Sequence, residues 1–256
     1  MMSRTVLDRP DAGVTDVRAY FERAADSFDR LYSEDGQGPF WRWVNSRFRS
    51  DIIARFLLTC EHVKRAQARS VLDVGCGSGR YLAAFAQLGV ERLAGIDISA
   101  PMLDLARRHL AAAGRSDVEL IRGNFDEHVT DQRFDVVVAM GFFDYQSDPV
   151  AVLARMRALA RHSVIVSFPS RHWFRTPLRQ ARYRIKKCPV YFYDPRRIME
   201  IAEQAGYAYA ETVKLPGAGM DYVTTLRVGV PFRNEVANTR RAGVHREILA
   251  GALPVA

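Results

Sequence analysis

Three glycines and two carboxylates carry the first chemical signal in this 256-residue chain. The run Val71-Leu-Asp-Val-Gly-Cys-Gly-Ser-Gly79 takes an apolar stretch into an alternating-glycine turn at Gly75, Gly77 and Gly79. Glycine lets a backbone turn sharply and lets a ligand come close where a Cβ would clash. A helix that begins at such a turn adds free backbone N–H groups. The dinucleotide fingerprint G-x-G-x-x-G would need glycine where Arg80 stands. Asp73, two residues before the first glycine, would repel a pyrophosphate. An acid there suits a ligand with an ammonium group. Asp97 ends the next apolar run, about 20 residues on, where a carboxylate can accept hydrogen bonds from both hydroxyls of a ribose. A glycine turn without a ligand and a helix-capping Asp97 are the plain alternatives.

The elements that must hold these groups read as strands alternating with helices. Val17, Tyr20, Phe21, Ala24, Phe28 and Leu31 recur at helical spacing, giving a helix from about Asp16 to Tyr32. The glycine- and proline-containing SEDGQGP breaks it. Trp41, Val44, Phe48, Ile52 and Phe56 mark a second helix. Strands are predicted at Ser70–Val74, Arg92–Asp97, Val118–Arg122, Phe134–Met140, Ser163–Phe168, Tyr207–Lys214 and Asp221–Val228. Helices fill Gly79–Leu88, Pro101–Ala113, Pro149–Ala160 and Pro195–Ala205. Ser99 before Pro101, and Asp194 before Pro195, are helix-start signals. This alternation predicts an α/β fold with a doubly wound, mainly parallel sheet and an antiparallel finish.

The motifs in chain order resemble a known family. VLDVGCGSGRYL, GIDISAPMLDLARR, GNFDE and FDVVVAMGFFDY are similar to the successive cofactor motifs of class I S-adenosylmethionine-dependent methyltransferases. The resemblance covers roughly Asp16 to Val228. It implies a Rossmann-like, seven-stranded, mainly parallel sheet with N-terminal helices and a helical lid insertion. It implies S-adenosyl-L-methionine as cofactor. By position, Gly75, Gly77 and Gly79 match the loop under the methionine part, and Asp73 the acid that orients it. Asp97 matches the ribose acid, and Ile98 and Met102 the apolar wall on the adenine. Asn124 stands where the family commonly has Asp. Its amide oxygen can accept from the adenine amine, Phe125 offers its backbone N–H to the ring, and Asp126 is the competing acid. Met140 and Gly141 end the fourth strand, where a backbone carbonyl meets the cofactor's amine. Tyr20 lies on the first helix, which closes over the site in many relatives.

Methyl transfer from a sulfonium is an in-line displacement in which much of catalysis is positioning. A base is needed only where the nucleophile must lose a proton. Enzymes that methylate nucleobase amino groups commonly carry an Asp/Asn-Pro-Pro-Tyr/Phe motif at the end of the fourth strand. This chain has Met140-Gly-Phe-Phe-Asp-Tyr145, which disfavours that chemistry. Asp144 and Tyr145 become the catalytic candidates, Phe142 and Phe143 either acceptor contacts or plain packing. His172, after the fifth strand, is the candidate general base, with a surface histidine as the alternative. His62, His109, His128, His162 and His245 read as surface residues, and no metal constellation stands out.

The net charge is +8, and its distribution is uneven. Between Asp148 and Asp194 there are ten Lys or Arg and no acid. Within this window, RHWFRTPLRQARYRIKK (171–187) holds seven cations. Phe174, Leu178, Ala181 and Ile185 form an apolar stripe beside a cationic one of Arg171, Arg175, Arg179, Arg182 and Lys186, about 100° apart on a helix. Four roles compete: a lid over a hydrophobic or anionic small molecule, a solvated face, a membrane-surface contact and an RNA contact. The lid is favoured by its place after the fifth strand, a common substrate-binding insertion. Here, and in the GFFDY run, the chain is similar to magnesium-protoporphyrin O-methyltransferases and to several natural-product and quinone methyltransferases.

The start MMSRTVLDRPDAG lacks the apolar stretch of a secretory signal, and no apolar run approaches the ~20 residues of a membrane span. Cys60, Cys76 and Cys188 are scattered and odd in number, so a cytoplasmic protein without a disulfide framework or zinc site is expected. The expected organisation is a helical cap at 1–66, a methyltransferase domain at 67–230 with a lid insertion at 170–193, and a tail at 231–256. The expected activity is methylation of a small organic acceptor at oxygen or a carboxylate. DNA is not an expected partner, and a transient membrane-surface contact is an alternative role for 171–187. An RNA-modifying enzyme using 171–187 and a catalytically silent cofactor-binding partner subunit are the alternatives. Acceptor and oligomeric state are not legible.

Overall fold

The computed structural model describes Arg18 and residues 39–170, 190–215, 221–229 and 234–238. The expected first helix with Tyr20, the basic segment with His172, and most of the tail lie outside the described residues. The elements in chain order are α1 (Pro39–Arg65), β1 (Ser70–Val74), α2 (Arg80–Gln87), β2 (Arg92–Asp97), α3 (Ala100–Ala112), β3 (Glu119–Arg122), β4 (Phe134–Ala139), α4 (Pro149–Leu159), β5 (Ala160–Phe168), α5 (Pro195–Gln204), β6 (Tyr209–Lys214), β7 (Tyr222–Arg227) and β8 (Asn234–Asn238). A single 3-10 turn, Phe143–Tyr145, follows β4.

Three helices start by one device. Ser99, Asp148 and Asp194 precede a proline in the first turn, and each side-chain oxygen accepts a backbone N–H of that turn. Each cap satisfies a donor that the helix cannot. These starts set α3, α4 and α5 just beyond the carboxyl ends of β2, β4 and β5. Helix α4 ends without a connecting loop. Ala160 is already extended, at φ −88° and ψ 139°, and opens β5.

The strands form one sheet in the order β3-β2-β1-β4-β5-β7-β6-β8. Strands β1 to β5 pair in parallel, β7 runs antiparallel to β5 and β6, and β8 lies parallel to β6. The fold is the Rossmann-like class expected. The seven strands read from the sequence are present, and β8 adds an eighth in the segment read as a tail.

Every residue of β1 is buried, as a central strand covered on both faces requires. Alternate residues feed two cores. Val71, Val136, Val138 and Ile165 pack with Val63 of α1, Leu82 and Phe85 of α2, and Leu103 of α3. Leu72, Val137, Val164 and Val166 pack on the other face with Leu153 and Met156 of α4 and Ile198 and Ile201 of α5. Fully burying one such aliphatic side chain contributes about 1.5–3 kcal/mol. Ser170, just past β5, pairs with Tyr193, just before α5.

Candidate functional site

The glycine turn hooks over the end of β2. Gly75 and Cys76 donate their N–H groups to the Ile96 carbonyl at 2.8 and 3.1 Å. Gly77 N–H donates to Asp97 Oδ2 at 2.8 Å, and Ser99 N–H to Asp97 Oδ1 at 2.8 Å. Asp97 thus ties the turn to the start of α3. Burial raises its pKa, and the backbone N–H groups of Ser99, Gly77 and Ile98 oppose that shift.

The three glycines answer to three surroundings. A Cβ on Gly75 would sit 2.7 Å from Phe142 Cδ2, so this position is filled by an aromatic ring. A Cβ on Gly79 would sit 2.8 Å from Ala106 Cβ, where α3 presses on the turn. His109, one turn further along α3, places Nδ1 2.8 Å from the Ser78 carbonyl. A carbonyl can only accept, so Nδ1 carries the proton. Gly77 has no atom within 4 Å of that position, and Gly123 on the β3 side has none either. The open space therefore lies over Gly77 and beside Gly123.

Asp73 borders that turn. It is 2% exposed, and its Oδ2 has no hydrogen-bond partner among the described residues. Its pKa is pushed up to about 8, first by burial and then by Asp97. An unsatisfied buried carboxyl is costly unless something pairs with it. A ligand bearing both an ammonium and a ribose answers both acids, so the residues present fit S-adenosylmethionine.

On the β2 and β3 side of the glycine turn, Met102 is buried in the first turn of α3 and Ile98 is half-buried. Asn124 is engaged in its own loop. Asp126 N–H donates to Asn124 Oδ1 at 3.2 Å, and Asn124 Nδ2 donates to Glu127 Oε1 at 3.1 Å. Asp126 is exposed, and its backbone carbonyl accepts from Arg155 Nη1 at 2.6 Å. Phe125 is buried with its ring edge-on to Phe142, centroids 6.4 Å apart.

At the other end, Met140 Sδ lies 3.4 Å from Thr59 Oγ1, and Gly141 N–H donates to Ser167 Oγ at 2.7 Å. Asp144 is buried and Tyr145 half-buried in the turn that follows. The structure also brings here a residue the sequence reading missed. Arg55 of α1 places Nη1 3.8 Å from the Cβ position of Gly141 and pairs with Asp221 Oδ2 at 3.4 Å. A cation inside the apolar stretch Ile52-Ile-Ala-Arg-Phe-Leu-Leu58 was the available signal. Two histidines depart from their surface reading. His109 braces the glycine turn, and His62 is half-buried with Nδ1 2.5 Å from Thr225 Oγ1. Tyr20 and His172 lie outside the described residues, and among those described no group of three or more His, Cys, Asp or Glu could hold a metal.

A mainly parallel sheet, a glycine turn at the carboxyl end of its central strand and acids at the ends of two adjacent strands define a Rossmann-like binder of a nucleoside cofactor. Residues 71–163 match the family model described as "Methyltransferase domain". The chain is 32% identical over 157 residues to a ubiquinone biosynthesis O-methyltransferase of Thiobacillus denitrificans, covering 58% of this chain and 67% of that one. It is 28% identical over 153 residues to the protein of that description from Klebsiella pneumoniae, covering 57% of this chain and 62% of that one. Among solved structures it resembles magnesium protoporphyrin IX methyltransferase from Synechocystis PCC 6803 with bound SAH. The TM-score is 0.65 at 21% identity, over 84% of this chain and 99% of that one, a likeness of fold. The chain belongs to the class I S-adenosylmethionine-dependent methyltransferases, and its cofactor is S-adenosyl-L-methionine.

Proposed function

We propose that this methyltransferase transfers the methyl group to an oxygen of a small organic acceptor, a hydroxyl or a carboxylate. The observation that carries the reading is the end of β4. Gly141-Phe-Phe-Asp-Tyr145 sets an aromatic turn with one buried carboxyl beyond the glycine turn, without the Pro-Pro pair of nucleobase amino methylation. The relatives' description as O-methyltransferases supports it. When bound, the cofactor supplies an activated methyl on a sulfonium.

The residues would divide the work as follows. Asp73 would take the cofactor's ammonium and Asp97 its ribose hydroxyls, with Gly77 and the Met140–Gly141 backbone closing the contact. Arg55, steadied by Asp221, would face the cofactor's carboxylate. Ile98, Met102, Asn124 and Phe125 would line the adenine, and Tyr20 would cover the site. Asp144 and Tyr145 would orient the acceptor's oxygen, and His172 would accept its proton where the acceptor is a hydroxyl. A carboxylate acceptor needs no base. The basic segment within 170–193 is read as a lid over that acceptor.

Calorimetry with S-adenosylhomocysteine tests the cofactor half. Wild type should bind, and Asp97→Ala should bind at least about 100-fold more weakly, because hydrogen bonds to charged groups contribute about 1.5–3 kcal/mol each. Equal affinity would remove Asp97 from the site. For the acceptor half, an extract incubated with methyl-labelled cofactor should yield a labelled small molecule as an ester or ether. Label in RNA, lost as salt is raised, would instead favour the nucleic-acid reading.

A further inference from the structure

A cavity of about 820 Å³ opens between the head of α4 and the segment that leads into α5. No residue of the glycine turn lines it. The link between the two is the 142–147 turn. Phe142 seats on Gly75 at one end, and Gln146 and Ser147 line the cavity at the other. The opposite wall is fastened to this turn. Tyr191 N–H donates to the Asp144 carbonyl at 2.9 Å, and Tyr193 Oη donates to the Phe143 carbonyl at 3.3 Å. Aromatic contacts at 5.8, 4.8 and 4.9 Å run from Phe142 through Phe143 and Phe168 to Tyr193. The wall is therefore braced, and it stands next to the two catalytic candidates Asp144 and Tyr145.

The lining has a definite chemistry. Tyr191 is 36% exposed, a large share for a big aromatic residue held by its own backbone, and Phe192 beside it is half-buried. Val190 and Pro149 extend the apolar surface. The rim carries two acids and two arginines, and they are not equally engaged. Glu200 is paired with Arg197 at 3.2 Å, and Asp194 spends one oxygen on the Arg197 N–H. Arg196, exposed on the same rim, makes no ion pair among the described residues. At about 820 Å³ the cavity lies in the upper part of the roughly 300–1,000 Å³ range of small-molecule sites. A single ring would leave most of it empty.

We propose that this cavity is the acceptor subsite, and that it takes an aromatic acid larger than one ring, its ring system against Tyr191 and Phe192 and its anionic group on Arg196. The inference rests on the methyltransferase reading for its role and on the lining alone for its ligand chemistry. The carboxyl end of the sheet thus holds two compartments. The cofactor lies over Gly77, the acceptor's body lies beyond the 142–147 turn, and the turn between them carries the oxygen-orienting groups.

The test is a fluorescence titration of the full chain, saturated with S-adenosylhomocysteine, against two dyes of nearly one skeleton. The first is 8-anilinonaphthalene-1-sulfonate, an aromatic anion. The second is N-phenyl-1-naphthylamine, which lacks the sulfonate. Wild type should bind the anion more tightly than the neutral dye. Arg196→Ala should weaken the anion about tenfold and leave the neutral dye within about twofold. Tyr191→Ala should weaken both. Both sites are exposed, and melting curves matched to wild type establish that the variants fold. Dye affinities unchanged in both variants would overturn the proposal, as would equal binding of the two dyes by wild type. Mutual exclusion of the anion and S-adenosylhomocysteine would place the dye in the cofactor crevice and overturn it too. Failure of S-adenosylhomocysteine to bind would sink the methyltransferase reading instead, with the dye titration of the cofactor-free protein still reporting on the cavity.

Discussion

Asp73 is the residue whose state depends most on what lies beside it. Its pKa is pushed up to about 8, against an ordinary aspartate near 3.9. A raised folded-state pKa means that the folded protein holds the extra proton. The resulting stability is fully present below pH ~4 and lost as pH climbs through about 8. The melting temperature of ligand-free wild type should therefore fall, relative to Asp73→Asn, between pH 6 and pH 9. A constant gap in scanning calorimetry would mean that Asp73 is ionised throughout. Pairing with an ammonium needs the carboxylate, so binding S-adenosylhomocysteine at pH 7 should release up to about one proton. Titration in buffers of different ionisation enthalpy reads that number.

Two of the three glycines separate stability from binding. Both hold left-handed φ angles, +52° at Gly77 and +73° at Gly79. Gly79→Ala should cost about 1–3 kcal/mol, from the backbone conformation and the contact with Ala106. Gly77→Ala should cost only about 1–2 kcal/mol, because its new methyl meets open space. On the proposed cofactor placement that methyl would enter the cofactor's volume, so Gly77→Ala should lose more than about tenfold in S-adenosylhomocysteine affinity. Denaturant melts and calorimetry on the pair check both halves. At this scale the sequence was informative wherever a motif is contiguous, as from Val71 to Gly79. It was silent on Arg55 and Asp221, which are 166 residues apart and meet only across the folded sheet. It was also silent on Phe142 filling the place at Gly75.

Among the elements, α1 has the docking that a change of pH can probe. His62 faces Thr225 of β7, with Glu211 of β6, Arg227 of β7 and its own helix's Glu61 and Arg65 around it. Burial lowers its pKa below 6.5, more than Glu211 raises it. A depressed folded-state pKa gives stability that is present above pH ~6.5 and lost as pH falls below it. Wild type should therefore lose melting temperature between pH 7 and pH 5 more steeply than His62→Gln. Parallel curves would show that His62 is already charged. Because α1 also carries Arg55 and Thr59, acid that loosens it should weaken cofactor binding in step. The start signals of α3, α4 and α5 were readable because Ser or Asp before proline is local chemistry. The packing of α1 was not, since its apolar stripe says only that some face is buried.

For the whole molecule, strand and helix positions were legible because short apolar runs alternate with segments of 3.6-residue hydrophobic period along the chain. The order of strands was legible only through the family resemblance. β8 was missed because Asn-Glu-Val-Ala-Asn carries little apolar pattern, as suits a strand at the sheet's edge. β7 comes late in the chain yet sits between β5 and β6. A chain ending before Tyr222 would leave both neighbours without their antiparallel partner. It should therefore lack cooperative unfolding and be cleared by protease under conditions where the full chain resists. A resistant fragment would show that the parallel half folds alone.

The Ser170–Tyr193 pairing has a consequence for how such an enzyme can diverge. Ser170 and Tyr193 lie against each other where β5 ends and α5 is about to begin, so the two ends of the segment between them are held together. Doubling the length of a flexible loop costs only about 0.6 kcal/mol when its ends are already held together. Residues between these two anchors can thus be lengthened, shortened or exchanged for another lineage's segment while the nucleoside crevice stays as it is. On the lid reading proposed for that segment, acceptor range and cofactor affinity would be free to evolve at different speeds within one chain.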